Sequence, residues 1–538
     1  MRGGHALDCA TLAEVPARLG PQATAAYPGS GELPPADLEA GSARCAHALL
    51  AAGVDAGEVV GLLLPTGPHV PLGLFGAVRA GAAAAMLAPL AADPEIAAER
   101  LAPAVRQARM RFLIAHPDHA AVARALAARF PSLTVLDAGL EAPGSGPLPV
   151  VGGGDLAVVQ FTSGSTGRPK GVMLTHAAVM AGLRSIASTS AFTERDVMVS
   201  WAPHFHDLGL FGPLSILLAG GGVHLLSPLA FMRRPLGALR LLSDVGGTLM
   251  TGPDFSYRKV VAAITPDALR DLDLSRWRLA FNGAEPVRAD TVASFASGLA
   301  AAGVSPSVMY PVYGMAEATL AITFPEPGAV ARVVHVDRAR LADEGTAVPV
   351  PEGHGAKALV GVGRPVEGMR VRVLDDAGEE CPPGRLGEIR IAGAAVTSGY
   401  LHDPGATAAA FDGEWLRTGD LGFRLDGELF IAGRRKEMII VRGQNHFPED
   451  VEDLVRAAPG VHRGRCVAFA DADTEHIVVV AELRPSADQD AVTTGLRVAV
   501  AERLGLAAVR VHAVRPGWLP TTSSGKWQRD LARRRLSG

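Results

Sequence analysis

The sequence predicts an α/β protein: a large multi-lobed N-terminal domain, built of two α/β lobes and a β-rich subdomain, followed by a small mobile α+β C-terminal domain. Three observations carry this. Residues 35–150 alternate Ala/Leu-rich helical stretches with short apolar strands, and the same alternation runs again from about residue 155 to about 325, the pattern of layered α/β folds. Beyond residue 333 the strands shorten and turns multiply, and after Gly433 about a hundred residues remain, enough for one small domain. The division is therefore placed between residues 1–432 and 433–538. A chain of 538 residues is in any case too long for a single core.

Strands of the first lobe are expected at 59–64 and 111–115. Those of the second are expected at 156–161, 197–202, 222–226, 247–251 and 277–282, and those of the β-rich part at 371–374 and 387–391.

Bulk properties exclude several classes. Hydrophobic residues at 48% and charged residues at 20% are globular usage. A net charge of −4 gives no field suited to nucleic acid, and Arg533, Arg534 and Arg535 read as a solvated tail. The apolar stretches at 78–90 and 214–226 are broken by Gly, Arg or His, or too short to cross a bilayer. The residues after Met1 are not those of a signal peptide, so a cytoplasmic protein without membrane insertion is expected. Cys9, Cys45, Cys381 and Cys466 lie far apart and read as buried free thiols rather than a metal or redox set. Only five of 51 basic residues are lysine, at 170, 259, 357, 436 and 526. Lysine that persists under such a bias marks places where arginine cannot substitute. Three of the five fall in the motifs below, and Lys259 and Lys357 are read as surface residues.

The segment 160–171 places Thr162, Ser163, Gly164, Ser165, Thr166, Gly167 and Lys170 directly after an apolar strand. Glycines let backbone N–H groups approach phosphate oxygens, hydroxyls donate further bonds, and the lysine supplies charge. Pro169 precedes the lysine where a Walker A loop needs glycine.

Together with Tyr313-Gly314-Met315-Ala316-Glu317-Ala318-Thr319-Leu320, Thr418-Gly419-Asp420, Gly433-Arg434-Arg435-Lys436-Glu437 and Ser523-Ser524-Gly525-Lys526, this loop resembles the ordered motif set of the superfamily of acyl-CoA synthetases, NRPS adenylation domains and luciferases. Within it the chain is most similar to fatty acyl-AMP ligases. Residues 201–210, 281–287 and 439–448, together with the Ala-Glu-Ala-Thr-Leu run ending at Leu320, carry that likeness. Glu317 and Gly363 are 46 positions apart, room for the insertion those ligases carry. Gln444, Phe447 and Asp254 depart from the family's arginine, tyrosine and asparagine.

The resemblance implies ATP-dependent activation of a carboxylic, fatty acid as acyl-AMP, pyrophosphate release, and transfer to the phosphopantetheine thiol of a separate acyl carrier protein. It implies that Lys526 bridges the carboxylate and the α-phosphate, and that Thr162, Ser163, Ser165, Thr166 and Lys170 hold the β- and γ-phosphates. Glu317 ligates Mg²⁺ on this reading. Asp420 and Arg434 bind the ribose, Tyr313 with Gly283 and Ala284 frames the adenine, Gly314 and Met315 join the nucleotide site, and Lys436 is the hinge. His204 and His206 form a His-x-His suggestive of a metal, but no third ligand is spaced to join them, so His206 is assigned to the acyl or carboxylate pocket. The chain ends twelve residues after Lys526, so the carrier is expected in trans. Two alternatives stand: a synthetase using CoA as acceptor, and a catalytically inert homologue acting as a binding scaffold.

Overall fold

The computed structural model describes residues 6–89, 91–140, 146–162, 169–353, 355–441, 444–471, 476–504, 509–521 and 527–537. The first lobe is a six-stranded sheet in the order Thr134–Asp137, Phe112–Ala115, Val59–Leu63, Ala83–Met86, Leu156–Thr162, Lys170–Thr175, parallel except for its last strand. The second is a seven-stranded sheet. Met309–Pro311, Leu279–Asn282, Leu249–Gly252, Val197–Ser200, Gly222–Leu225 and Ala25–Tyr27 run parallel in it, with Gly31–Leu33 antiparallel at the edge. Helices cover both sheets, which is why their strands, such as the fully buried Val59–Leu63, are continuous apolar runs rather than alternating ones.

Two placements differ from the sequence reading. The strand at 156–162 belongs to the first sheet, beside Ala83–Met86, and not to the second lobe. The N-terminal strand Ala25–Tyr27 crosses over to complete the second sheet beside Gly222–Leu225. An apolar run reveals that a strand exists; which sheet buries it depends on long-range pairing that periodicity does not encode.

The β-rich part centres on an antiparallel sheet of Met369–Leu374, Gly387–Gly393, Trp415–Leu425 and Glu428–Arg434, with the short Phe411–Asp412 at its side. Before it, the hairpin Val333–Asp337 with Ala356–Val360 and the helix Arg338–Asp343 occupy the stretch between Glu317 and Gly363. In the C-terminal part Ile477–Leu483 lies between Val461–Ala470, antiparallel to it, and Val509–Val514, parallel to it, with helices Pro448–Arg456, Gln489–Leu504 and Arg529–Ser537. It has its own apolar core around Val451, Val479 and Val500.

Lys357 is not a surface residue. It is 7% exposed, its Nζ lies 2.9 Å from Asp450 and 3.9 Å from the centre of the Phe447 ring, and it donates to the Ala432 carbonyl. Asn445 donates to Asp343 and to the Ala342 carbonyl nearby. The buried Phe447 ring joins a cluster with Leu341, Leu359, Phe423 and Phe430. The hairpin and helix of residues 333–360 therefore grip residues 445–450 directly. All four cysteines are buried and free, as expected.

Candidate active site

Tyr313 and Gly314 form a two-residue strand against Ala321–Phe324. A Cβ on Gly314 would lie 1.8 Å from the Leu320 carbonyl oxygen, so only glycine allows the chain to fold back this closely. The return contains a strained turn: Thr319 has φ 62° and ψ −53°, and the Leu320 N–H donates to the Ala318 carbonyl at 2.7 Å, a γ-turn that a β-branched residue rarely adopts. The fully buried Thr319 hydroxyl, donating to the Ala395 carbonyl at 2.9 Å, pins it. Such strain persists where the surroundings over-determine it. The short 3-10 turn it closes, Ala316–Ala318, carries Glu317.

The Tyr313 hydroxyl donates to Asp420 Oδ2 at 2.6 Å, and Arg434 Nε reaches Asp420 Oδ1 at 2.8 Å. Asp420 and Arg434 are direct cross-strand partners. The Thr418 hydroxyl, donating to the Ile389 carbonyl at 2.7 Å, accepts from the Asp420 N–H, so the Thr-Gly-Asp turn is tied to the sheet. The Asp420 carboxylate holds Arg434 above its ordinary value; burial and the same carboxylate push the Tyr313 hydroxyl up. Lys436 is pushed down by desolvation first and then by Arg434, with Lys170 adding to the effect. Glu317 feels Arg434 as well. The structure thus gathers Tyr313, Glu317, Lys170, Asp420, Arg434 and Lys436 into one region.

Glu317 is 8% exposed, and burial raises its carboxyl. Tyr400 donates to its Oε1 at 3.0 Å, and the Lys170 ammonium lies 4.6 Å from the centre of the Tyr400 ring. Among the described residues no group of three or more His, Cys, Asp and Glu is arranged to hold a metal. A single buried carboxylate with Lys170 and Arg434 in the same region fits Mg²⁺, which binds through one or two carboxylates and substrate phosphates rather than a protein cage. Thr162 and Lys170 are register partners that close the strand pair leading into the loop between them. Ser163, Gly164, Ser165, Thr166, Gly167 and Lys526 lie outside the described residues.

An apolar cleft adjoins Tyr313 and Gly314. Ala284, Tyr313 and Gly314 line it together with Phe192, Met198 and Phe281. The Tyr313–Asp420–Arg434 cluster and the apolar cleft therefore adjoin at Tyr313, near the C-terminal ends of the second sheet's strands, where α/β folds bind ligands. Ala284, just past strand Leu279–Asn282, has φ 65°, another strained non-glycine residue at this point. His206 occupies the position just before the helix Asp207–Leu218; its neighbours Asp207 and Leu208 line the cleft. Burial pushes the 8% exposed His204 down to about 4, which keeps it uncharged near neutral pH.

The sequence reading missed Tyr400, which follows Gly399 in a stretch with no recognisable charge or glycine pattern. It also left Asp254 unexplained. The structure makes Asp254 a fully buried hub that accepts from Asn282, Thr291 and the Arg288 N–H and pairs with Arg258.

The AMP-binding enzyme family matches residues 14–401, most of the chain, a stretch that holds Lys170, Tyr313, Glu317 and Tyr400 and ends before Asp420, Arg434 and Lys436. The chain belongs to the AMP-binding enzyme family. It is 36% identical over 404 residues to the medium-chain-fatty-acid–[acyl-carrier-protein] ligase JamA of Moorena producens, a match spanning 72% of this chain and 68% of JamA. It is 36% identical over 407 residues to the medium-chain-fatty-acid–[acyl-carrier-protein] ligase TtuA of Teredinibacter turnerae, spanning 71% of this chain and 63% of TtuA; the chain thus covers less than two thirds of that relative. A solved chain from work on the fatty acyl-adenylate ligases of E. coli and L. pneumophila superposes with a TM-score of 0.93 at 29% identity, covering 98% of each chain. The member of the AMP-binding family described here is an enzyme with the α/β body and smaller C-terminal part of adenylate-forming proteins. Among its described residues no helix is long and apolar enough to cross a membrane.

Proposed function

We propose that this AMP-binding enzyme activates a fatty acid as its acyl-adenylate and passes the acyl group to the phosphopantetheine thiol of an acyl carrier protein. The observation that carries this is the continuity of the site: the apolar cleft opens onto Tyr313 and Gly314, beside the Tyr313–Asp420–Arg434 cluster. An apolar acyl chain in the cleft would present its carboxylate where the α-phosphate of a nucleotide on that cluster lies. The carboxylate oxygen attacks the α-phosphorus, the new C(O)O–P bond forms, and the bond from the α-phosphorus to pyrophosphate breaks.

Both reactants are anions, so catalysis is positioning and charge compensation. Asp420 and Arg434 would orient the ribose, Tyr313, Gly283, Ala284 and Met315 the adenine. Lys170, Thr162 and the hydroxyls of the loop would hold the β- and γ-phosphates, and Lys526 would meet the charge that develops between carboxylate and α-phosphate. Glu317 would hold Mg²⁺, which when bound supplies charge neutralisation on the phosphates. His206 would border the carboxylate end of the cleft. The boundary near residue 433, with Lys436 as pivot, would let the C-terminal part bring Lys526 in for the first half-reaction and withdraw it for the second.

JamA and TtuA, as carrier-protein ligases, support the carrier thiol over CoA. The test is a competition: enzyme, ATP, Mg²⁺ and a C6–C16 acid mixture are offered holo carrier protein and CoA in equal amounts. Acyl-carrier product in excess of acyl-CoA is expected. Acyl-CoA formed as fast as pyrophosphate would overturn the acceptor assignment.

A further inference from the structure

We propose that Tyr400 is a positioning residue that presents Glu317 to the metal and Lys170 to the phosphates. This rests on the reading of those two residues given above. Residues 399–401 form an added rung on the free edge of strand Lys170–Thr175: the Met173 N–H donates to the Gly399 carbonyl at 3.0 Å, the Leu401 N–H to the Gly171 carbonyl at 2.7 Å, and Val172 faces Tyr400. The strand that delivers Lys170 therefore fixes Tyr400. From there the hydroxyl donates to Glu317 Oε1 at 3.0 Å, and the ring face lies 4.6 Å from the Lys170 ammonium.

A second tie runs alongside. The Thr397 N–H donates to the Glu317 carbonyl at 2.7 Å, and the Thr397 hydroxyl donates to the Met173 carbonyl. Residues 397–401 thus brace the two elements that carry the opposed charges of the site. Tyr400 is 7% exposed, and Tyr400 is the side chain that joins the two groups. The phenol's hydrogen bond aims the Glu317 carboxylate, while the ring, which attracts cations on its face, holds Lys170. Outer partners of a metal-ligating carboxylate typically govern metal affinity by about 10–100-fold.

Two variants separate the two functions. Tyr400→Phe removes the hydroxyl and keeps the ring; Tyr400→Leu removes both. Binding of a non-hydrolysable ATP analogue is measured calorimetrically with and without Mn²⁺, so turnover is not needed. In the wild type Mn²⁺ should tighten binding. For Tyr400→Phe the metal-dependent gain should fall by about 10–100-fold while metal-free affinity stays within twofold. Tyr400→Leu should weaken metal-free binding several-fold as well. If Tyr400→Phe keeps the full metal-dependent gain while Glu317→Gln loses it, Tyr400 only packs and the proposal fails. If Glu317→Gln itself keeps the gain, the assignment of Glu317 as metal ligand fails, and the role given to Tyr400 fails with it. Circular dichroism and thermal unfolding show whether each variant is folded.

Discussion

Replacing Lys357 by methionine tests what holds residues 445–450 to the body. The Lys357 and Asp450 side chains are 8% and 7% exposed and 2.9 Å apart, and the Phe447 ring, fully buried, faces the ammonium at 3.9 Å. Removing one member of such a pair strands a buried charge, which costs about 3–5 kcal/mol. The lost contact with the ring adds about 0.5–2 kcal/mol. Arg338 Nε, 3.9 Å from Asp450, is placed to recover part of this, so the net effect is taken at about 3 kcal/mol. That is a shift of roughly a hundredfold in the equilibrium that frees this segment. Native-state hydrogen exchange reads it directly: amides of 447–451 should exchange about a hundred times faster in Lys357→Met, while those of strand Val59–Leu63 stay unchanged. The double variant Lys357→Met/Asp450→Leu strands no charge and should recover most of the protection. If Lys357→Met exchanges within twofold of wild type at 447–451, the buried pair does not hold the segment and the reasoning fails.

Further expectations follow the same logic. Lys526→Ala should slow adenylate formation by about 10²–10³-fold, the usual loss when a preorganised donor is removed, with ATP binding retained by calorimetry. Phe192 lines the cleft and meets Phe281 edge-on; Phe192→Ala should move the preferred acid to longer chains by mass spectrometry of the adenylates. Lys436→Pro, which fixes φ at the proposed pivot, should impair thiol transfer more than adenylation in half-reaction assays.

The grouping of part of the candidate site was legible because its residues fall in short local motifs. Tyr313 with Gly314, Asp420 and Arg434 were identified from motifs of a few residues, and the structure brings them within hydrogen-bonding reach of one another. Tyr400 was not legible, because its value comes from pairing beside Val172 more than 200 positions away, which no local pattern reveals. Lys357 was misread for a related reason: in sequence it is an isolated lysine, and only the register of the Val333–Asp337 hairpin places it over Phe447 and Asp450. The crossing of Ala25–Tyr27 to the second sheet and the transfer of Leu156–Thr162 to the first are long-range pairings of the same kind.

Acid-dependent exchange of labelled pyrophosphate into ATP, run across straight-chain acids from acetate to palmitate, tests the central claim most directly. Reversible acyl-AMP formation predicts no exchange without acid and strong exchange with acids whose chains fill the apolar cleft, lowered about 10²–10³-fold in Lys526→Ala. No acid-dependent exchange with any acid of the series, from protein that binds ATP, would contradict it.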